Sequence, residues 1–164
     1  MWAPPRLGRT MHTEDVDVAV VGGGPAGMAA AVSAWKSGAE RVLLIERDER
    51  LGGILNQCIH DGFGTKLFGE ALTGPEFAQL FIDQLRESRV ARSLSTMVLD
   101  LTADRELTVC SQEGMRRIRA KSVVLAMGCR ERTRGAISIP GTRPAGVFTA
   151  GVVQDYMNLR NLKV

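Results

Sequence analysis

Apolar positions along this chain change their spacing several times, and each change marks an element. Val16-Asp-Val-Ala-Val-Val21 is a short, nearly continuous apolar run, the pattern of a strand buried on both faces of a parallel sheet. It runs into Gly22-Gly-Gly-Pro-Ala-Gly27, after which residues 28–37 form a small-residue helix stopped by Gly38. Arg41-Val-Leu-Leu-Ile45 repeats the buried-strand pattern. Thr73-Gly-Pro-Glu76 has capping-box spacing and opens a helix reaching about Glu87. Its Phe77, Leu80, Phe81 and Leu85 recur at helical spacing, which is a core face and not a ligand box.

The pattern then shortens. Thr96–Leu101, Leu107–Cys110 and Met115–Arg119 read as extended segments parted by polar turns, an antiparallel meander of three strands. Ser122-Val-Val-Leu-Ala126 reads as a return to the parallel sheet, and Ala145–Gly151 leads into a last helix ending near Asn161. The expected class is α/β, a parallel sheet with an inserted three-stranded β-meander.

The turn after the first strand carries the chemistry. Gly22-x-Gly24-x-x-Gly27 has the spacing of a dinucleotide-binding turn. Gly22 allows the tight turn, Gly24 admits the pyrophosphate to the backbone, and Gly27 lets the helix pack on the strand. The first turn of the helix that follows offers free N–H groups and a positive dipole end to the anion. Glu46 ends the second strand, where a carboxylate accepts ribose hydroxyls and repels a 2′-phosphate.

Composition narrows the classes. With 164 residues the chain is long enough for one core but short for a two-substrate redox enzyme. A net charge of +3 spread along the chain, without aromatic interleaving, does not indicate nucleic-acid binding. No apolar run is long enough for a transmembrane segment, and the N-terminus has no secretory apolar region. Residues 1–14 read as a disordered extension, with Met1 or Met11 as the start. Cys58, Cys110 and Cys129 form no metal-type pair, so no metal site is expected, and their sparse, odd number fits a reducing cytoplasm.

Taken together, the glycine turn, the acid after strand two, Gly52-Gly53, the meander, Ala126-Met127-Gly128 and Ile139-Pro-Gly141 form an ordered set. In that order they resemble the FAD-binding part of the flavoprotein oxidoreductases with two dinucleotide domains, which include the pyridine nucleotide–disulfide oxidoreductases. The resemblance runs from about Asp15 to the C-terminus and implies a Rossmann-like FAD-binding domain, first segment, over residues 15–164. It implies that Gly22, Gly24, Pro25, Ala26 and Gly27 hold the pyrophosphate, and that Glu46 and Arg47 lie at the adenosine ribose. It also implies that Gly52, Gly53, Ala126, Met127 and Gly128 pass close to the cofactor, with backbone contacts to adenine from Met97 and Val98. The usual second turn is Ala-Thr-Gly, so Met127 is a departure that leaves the glycine's role intact. Asn56 and Gln57 are candidates for polar contacts to the flavin ring.

Gly-Gly-Ile-Leu-Asn-Gln-Cys-Ile-His at 52–60 and the 128–134 segment resemble oxidoreductases related to sarcosine oxidase alpha and hydrogen cyanide synthase subunits. Some relatives are associated with glycerol-3-phosphate dehydrogenase-like partners. The redox cysteine pair of the glutathione reductase type would fall at Leu55 and His60, so disulfide chemistry is excluded there. Cys58 and His60 are weak catalytic candidates lining the flavin, against a packed thiol and a hydrogen-bonded loop histidine. The arginines of Arg130-Glu-Arg-Thr-Arg134 contact a nicotinamide phosphate or a partner, or simply form a solvated loop.

The resemblance further implies an NAD(P)H-binding second domain and a second FAD segment after Gly151. The chain stops at Val164, so it reads as an N-terminal fragment, inactive alone. The expected function is the FAD-binding portion of an NAD(P)H-linked oxidoreductase acting on an unknown small molecule. The alternative is a non-catalytic FAD-binding or electron-transfer component of a dehydrogenase complex.

Overall fold

A computed structural model describes residues 12–164. Strand β1 (Thr13–Val21) is followed by helix α1 (Pro25–Lys36), β2 (Val42–Ile45), α2 (Gly74–Arg86) and β3 (Ala91–Ser93). The meander follows as β4 (Met97–Leu101), β5 (Glu106–Ser111) and β6 (Gly114–Leu125), with α3 (Ala150–Gln154) near the C-terminus. All six strands form one sheet in the order β3-β2-β1-β6-β5-β4. The first four positions are parallel, and β6-β5-β4 are antiparallel.

Strand β1 is apolar because it feeds two cores. Val20 packs with Met28, Ala31 and Val32 of α1 and Phe81 and Leu85 of α2 on one face. Ala19 and Val21 turn to the other face, where they meet Leu43 and Ile45 and also Leu107, Val109 and Ile118. Strand β5 lies three places from β2 in the sheet order, yet both supply this second cluster. The meander therefore curls over the parallel strands as a third layer.

The meander's third strand and the expected return strand are one element. Strand β6 runs unbroken over twelve residues, pairing with β5 through Arg119 and with β1 from Arg117 to Leu125. No turn residue separates Arg119 from Ser122; Ala120 is buried, while Arg119 and Lys121 project outward. These two form ion pairs with Asp15 and Asp17, and Arg116 pairs with Glu14. Such exposed pairs contribute at most about 1 kcal/mol each, against about 1.5–3 kcal/mol for burying a side chain such as Ile118. Apolar burial thus holds the two strands together and sets their register, and the charges add a weaker contribution.

Three boundaries differ from expectation. Strand β1 starts at Thr13, inside the stretch assigned to the extension, while residues 1–11 lie outside the described residues. Helix α1 starts at Pro25, a residue whose fixed φ and missing N–H suit the first helical position. Strand β3 was not anticipated, because Ala91-Arg-Ser93 is too short and polar to show a period. The capping box forms as read: Thr73 N–H donates to Glu76 Oε2 at 2.8 Å, and Thr73 Oγ1 accepts from Glu76 N–H. Helix α3 continues into a π-helical turn, Asp155–Leu159. Among the described residues no helix is long and apolar enough to cross a membrane.

Asp17 joins strand β1 to both neighbouring segments, accepting from Lys121 Nζ at 2.8 Å and from Arg41 N–H at 2.8 Å. The Lys121 ammonium, with the Arg41 amide, pulls its carboxyl down to about 2. The folded value lies below the unfolded one, so this contribution is complete above about 4 and is lost as pH falls toward about 2. Asp17→Asn should lower the urea midpoint at neutral pH, and the deficit should shrink across that acid window.

Candidate cofactor site

The C-terminal ends of the parallel strands β1, β2 and β6 reach one edge, and the glycine turn lies among them. Gly22 N–H donates to Ile45 O at 2.8 Å, and Ala126 N–H donates to Val21 O at 2.8 Å. Gly22 has φ +110°, and a Cβ there would lie 2.3 Å from Ala126 O. A Cβ on Gly27 would lie 1.8 Å from Gly22 O, so the helix sits on the turn with no room for a methyl group.

Gly24 differs from both. Its φ is −74°, open to any residue, and a Cβ there would meet nothing within 4 Å. Neither conformation nor internal packing explains a glycine at this position; open space in front of its backbone does. The first helical bond runs from Met28 N–H to Gly24 O, which leaves Ala26 and Gly27 N–H without intrahelical acceptors. Pro25 contributes no donor, and Ala26 is exposed. The edge therefore presents free donors at the positive end of a helix beside an unfilled cradle, which fits a pyrophosphate.

Glu46 is 7% exposed at the end of β2. Its Oε2 accepts from Gly23 N–H at 2.5 Å and its Oε1 from Asp48 N–H at 2.9 Å. The carboxylate thus braces the glycine turn while each oxygen keeps further acceptor capacity. Arg47 is exposed and lies 3.8 Å from the Asp48 carboxylate. Thr96 N–H donates to Glu46 O at 2.9 Å, which puts the start of β4 beside the acid. Val98 packs into the second core cluster, whereas the Met97 side chain is exposed.

Gly52 and Gly53, at φ +113° and +55°, fold against the same turn. Gly52 N–H donates to Gly23 O at 2.8 Å, and a Cβ on Gly53 would lie 3.3 Å from Gly24 Cα. The 3-10 turn Gly53–Gln57 follows. The amides of Asn56 and Gln57 both bond to backbone carbonyls. Asn56 Nδ2 donates to Leu51 O at 3.0 Å, and buried Gln57 donates from Nε2 to Gly151 O at 3.1 Å. Burial explains the Gln57 bond: a primary amide out of water needs partners, and a backbone carbonyl is at hand. Met127 is exposed, and Gly128 has φ +68°.

Cys58 donates weakly to Ile54 O at 3.4 Å, and the exposed His60 ring lies 5.3 Å from Phe63 with Nδ1 3.0 Å from Asp61 O. Each is satisfied locally, and no hydrogen bond joins them among the described residues, so they form no nucleophile–base pair. Sequence reasoning missed Glu131, Gly151 and Asn158. Glu131 Oε1 accepts from Gly151 N–H at 2.8 Å, and the Thr149 hydroxyl, then this amide, holds its carboxyl below the usual range. Arg134 donates to Pro140 O and Gly141 O at 2.6 Å, stitching its own loop.

Residues 17–96 match the family model of the FAD dependent oxidoreductases. The chain is related to this family. It is 35% identical to the alpha chain of sarcosine oxidase from Corynebacterium sp. (strain U-96), over 90% of this chain and 16% of that one. It is 33% identical to hydrogen cyanide synthase subunit HcnB of Pseudomonas protegens, over 82% of this chain and 28% of that one. An opine oxidase subunit from Agrobacterium tumefaciens is 34% identical, over 84% and 28%. The chain thus spans less than a third of the length of each of these relatives. L-proline dehydrogenase from P. horikoshii shares the fold, with a TM-score of 0.66 at 24% identity over 94% of this chain and 30% of that one. Thioredoxin reductase from Streptococcus pyogenes aligns with a TM-score of 0.58 at 28% identity, over 73% and 37%. The six-stranded α/β sheet is the Rossmann-like fold of these flavoproteins.

The two kinds of glycine should separate by stability. Gly27→Ala forces the turn apart and should cost about 1–3 kcal/mol or more. Gly24→Ala meets open space and should cost under about 1 kcal/mol, the helix-cap difference alone. Thermal midpoints of the two variants check this.

Proposed function

We propose that the chain supplies the FAD-binding part of a flavoprotein oxidoreductase that passes a hydride between a nicotinamide nucleotide and flavin. One observation carries the reading: the open cradle at Gly24, framed by the free amides of α1 and by Glu46. In this reading Ala26 and Gly27 N–H bind the pyrophosphate, and the spare lone pairs of Glu46 accept adenosine ribose hydroxyls. Gly52, Gly53 and Ala126 to Gly128 border the cofactor with backbone alone, while Arg47 and the start of β4 stand at its adenosine end. Bound FAD supplies two-electron redox chemistry, and the chain orients it. NAD(P)H binds through a second domain outside these residues. The free thiols of Cys58, Cys110 and Cys129 support a cytoplasmic setting.

A second reading rests on the relatives, which are named as subunits of oxidases and of a synthase. There the chain is the FAD-binding component of an assembly whose partner completes the substrate site. Relatives named for sarcosine and for an opine, both N-substituted amino acids, favour a small amino acid as reductant over a glycerol-3-phosphate dehydrogenase-like partner.

Purified protein should carry a flavin spectrum and release FAD on denaturation. Gly24→Ala should weaken FAD binding at least about tenfold, or about 1.4 kcal/mol, with its thermal midpoint within a few degrees of wild type. Bound NAD in place of flavin would overturn the assignment. Anaerobic mixing with NADH, NADPH or sarcosine separates the two readings by which reagent bleaches the flavin.

A further inference from the structure

We infer that Gln57 is a positioning residue for the cofactor, acting through a clasp that joins the Gly52–Gly53 turn to the C-terminal segment. The inference rests on the FAD reading above. Gln57 is 8% exposed and is bonded from two directions by residues about a hundred positions away. Its Nε2 donates to Gly151 O at 3.1 Å, and its backbone carbonyl accepts from Asn158 Nδ2 at 2.7 Å. Gln154 Oε1 stands 3.5 Å from the same Nε2.

Gly151 is held on its other side as well. Its N–H donates to Glu131 Oε1, and a Cβ there would lie 2.7 Å from Glu131 Oε2. The acid of the arginine-rich loop is therefore the group that reaches the site, by way of one residue. Glu131 fixes the N–H of Gly151 and Gln57 takes up its carbonyl.

The other end of the clasp is the cofactor edge. Gln57 closes the 3-10 turn that begins at Gly53, and five residues in one tight turn move together. Gly53 packs on Gly24, where the cradle opens, and Gly52 is bonded to Gly23 O. A shift of Gln57 is thereby carried to the backbone that borders the pyrophosphate. The neighbouring Asn56 has no such reach, since among the described residues its amide bonds to Leu51 O five residues back. With its Nε2 bonded to Gly151 O, Gln57 acts on the cofactor through the turn.

The test uses the full-length flavoprotein with four variants: Gln57→Leu, Asn158→Ala, Glu131→Ala and Glu131→Gln. Removing one such bond should raise the FAD dissociation constant about three- to tenfold for the first three. Glu131→Gln keeps an acceptor for Gly151 N–H and should bind FAD within about twofold of wild type. In the apoprotein, hydrogen exchange at the Gly52 amide should quicken in Gln57→Leu, with the global unfolding midpoint held within a few degrees. Unchanged Gly52 exchange in Gln57→Leu and Asn158→Ala overturns the clasp. So does FAD affinity equal to wild type, or a fall in affinity matched by a fall in apoprotein stability with Glu131→Gln no better than Glu131→Ala. Quickened exchange in a protein that binds no FAD overturns the cofactor reading and leaves the clasp standing.

Discussion

The tightest constraint in this molecule is the contact between the Gly22 carbonyl and the first turn of α1. A single methyl group at Gly27 would come within 1.8 Å of that oxygen, and one at Gly22 would strike the end of β6. With both side chains absent, the helix N-terminus can sit directly over the ends of β1 and β6. Everything else at the edge is arranged around that contact. Glu46 ties Gly23 down, Gly52 ties to Gly23 from the far side, and Gly53 rests on Gly24. The open space at Gly24 survives because its neighbours are held so closely.

The two cores explain why the edge is rigid. Helices α1 and α2 cover one face of the parallel strands and the curled meander covers the other, so β1 is buried on both sides. Long strand β6 belongs to both layers, parallel to β1 and antiparallel to β5. Midway along β1, Asp17 pairs with Lys121 of β6 and with Arg41 just ahead of β2. These ion pairs lie away from the C-terminal edge, which is open to a ligand.

Much of this was legible locally. The apolar run 16–21, the three glycines, Glu46 and the capping box at Thr73 each express a rule acting over a few residues. The join between meander and parallel strand was not legible, because the basic 114–119 and the apolar 122–125 read as separate elements, whereas pairing first with β5 and then with β1 keeps them in one strand. The partners of Gln57 were hidden for the same kind of reason. A glutamine beside a glycine pair has the chemistry for a flavin contact, but Gly151 and Asn158 lie far along the chain. Glu131 was hidden by its neighbours, one acid among four basic side chains up to Arg143.

By itself the sequence determined the order of elements, the dinucleotide turn and the acid that follows it, since spacing and residue type act through the nearest turns of backbone. Tertiary structure decided which groups face the cradle and which are consumed in holding it. That choice depends on burial and on partners a hundred residues apart: an amide removed from water takes the nearest carbonyl, whichever part of the chain supplies it.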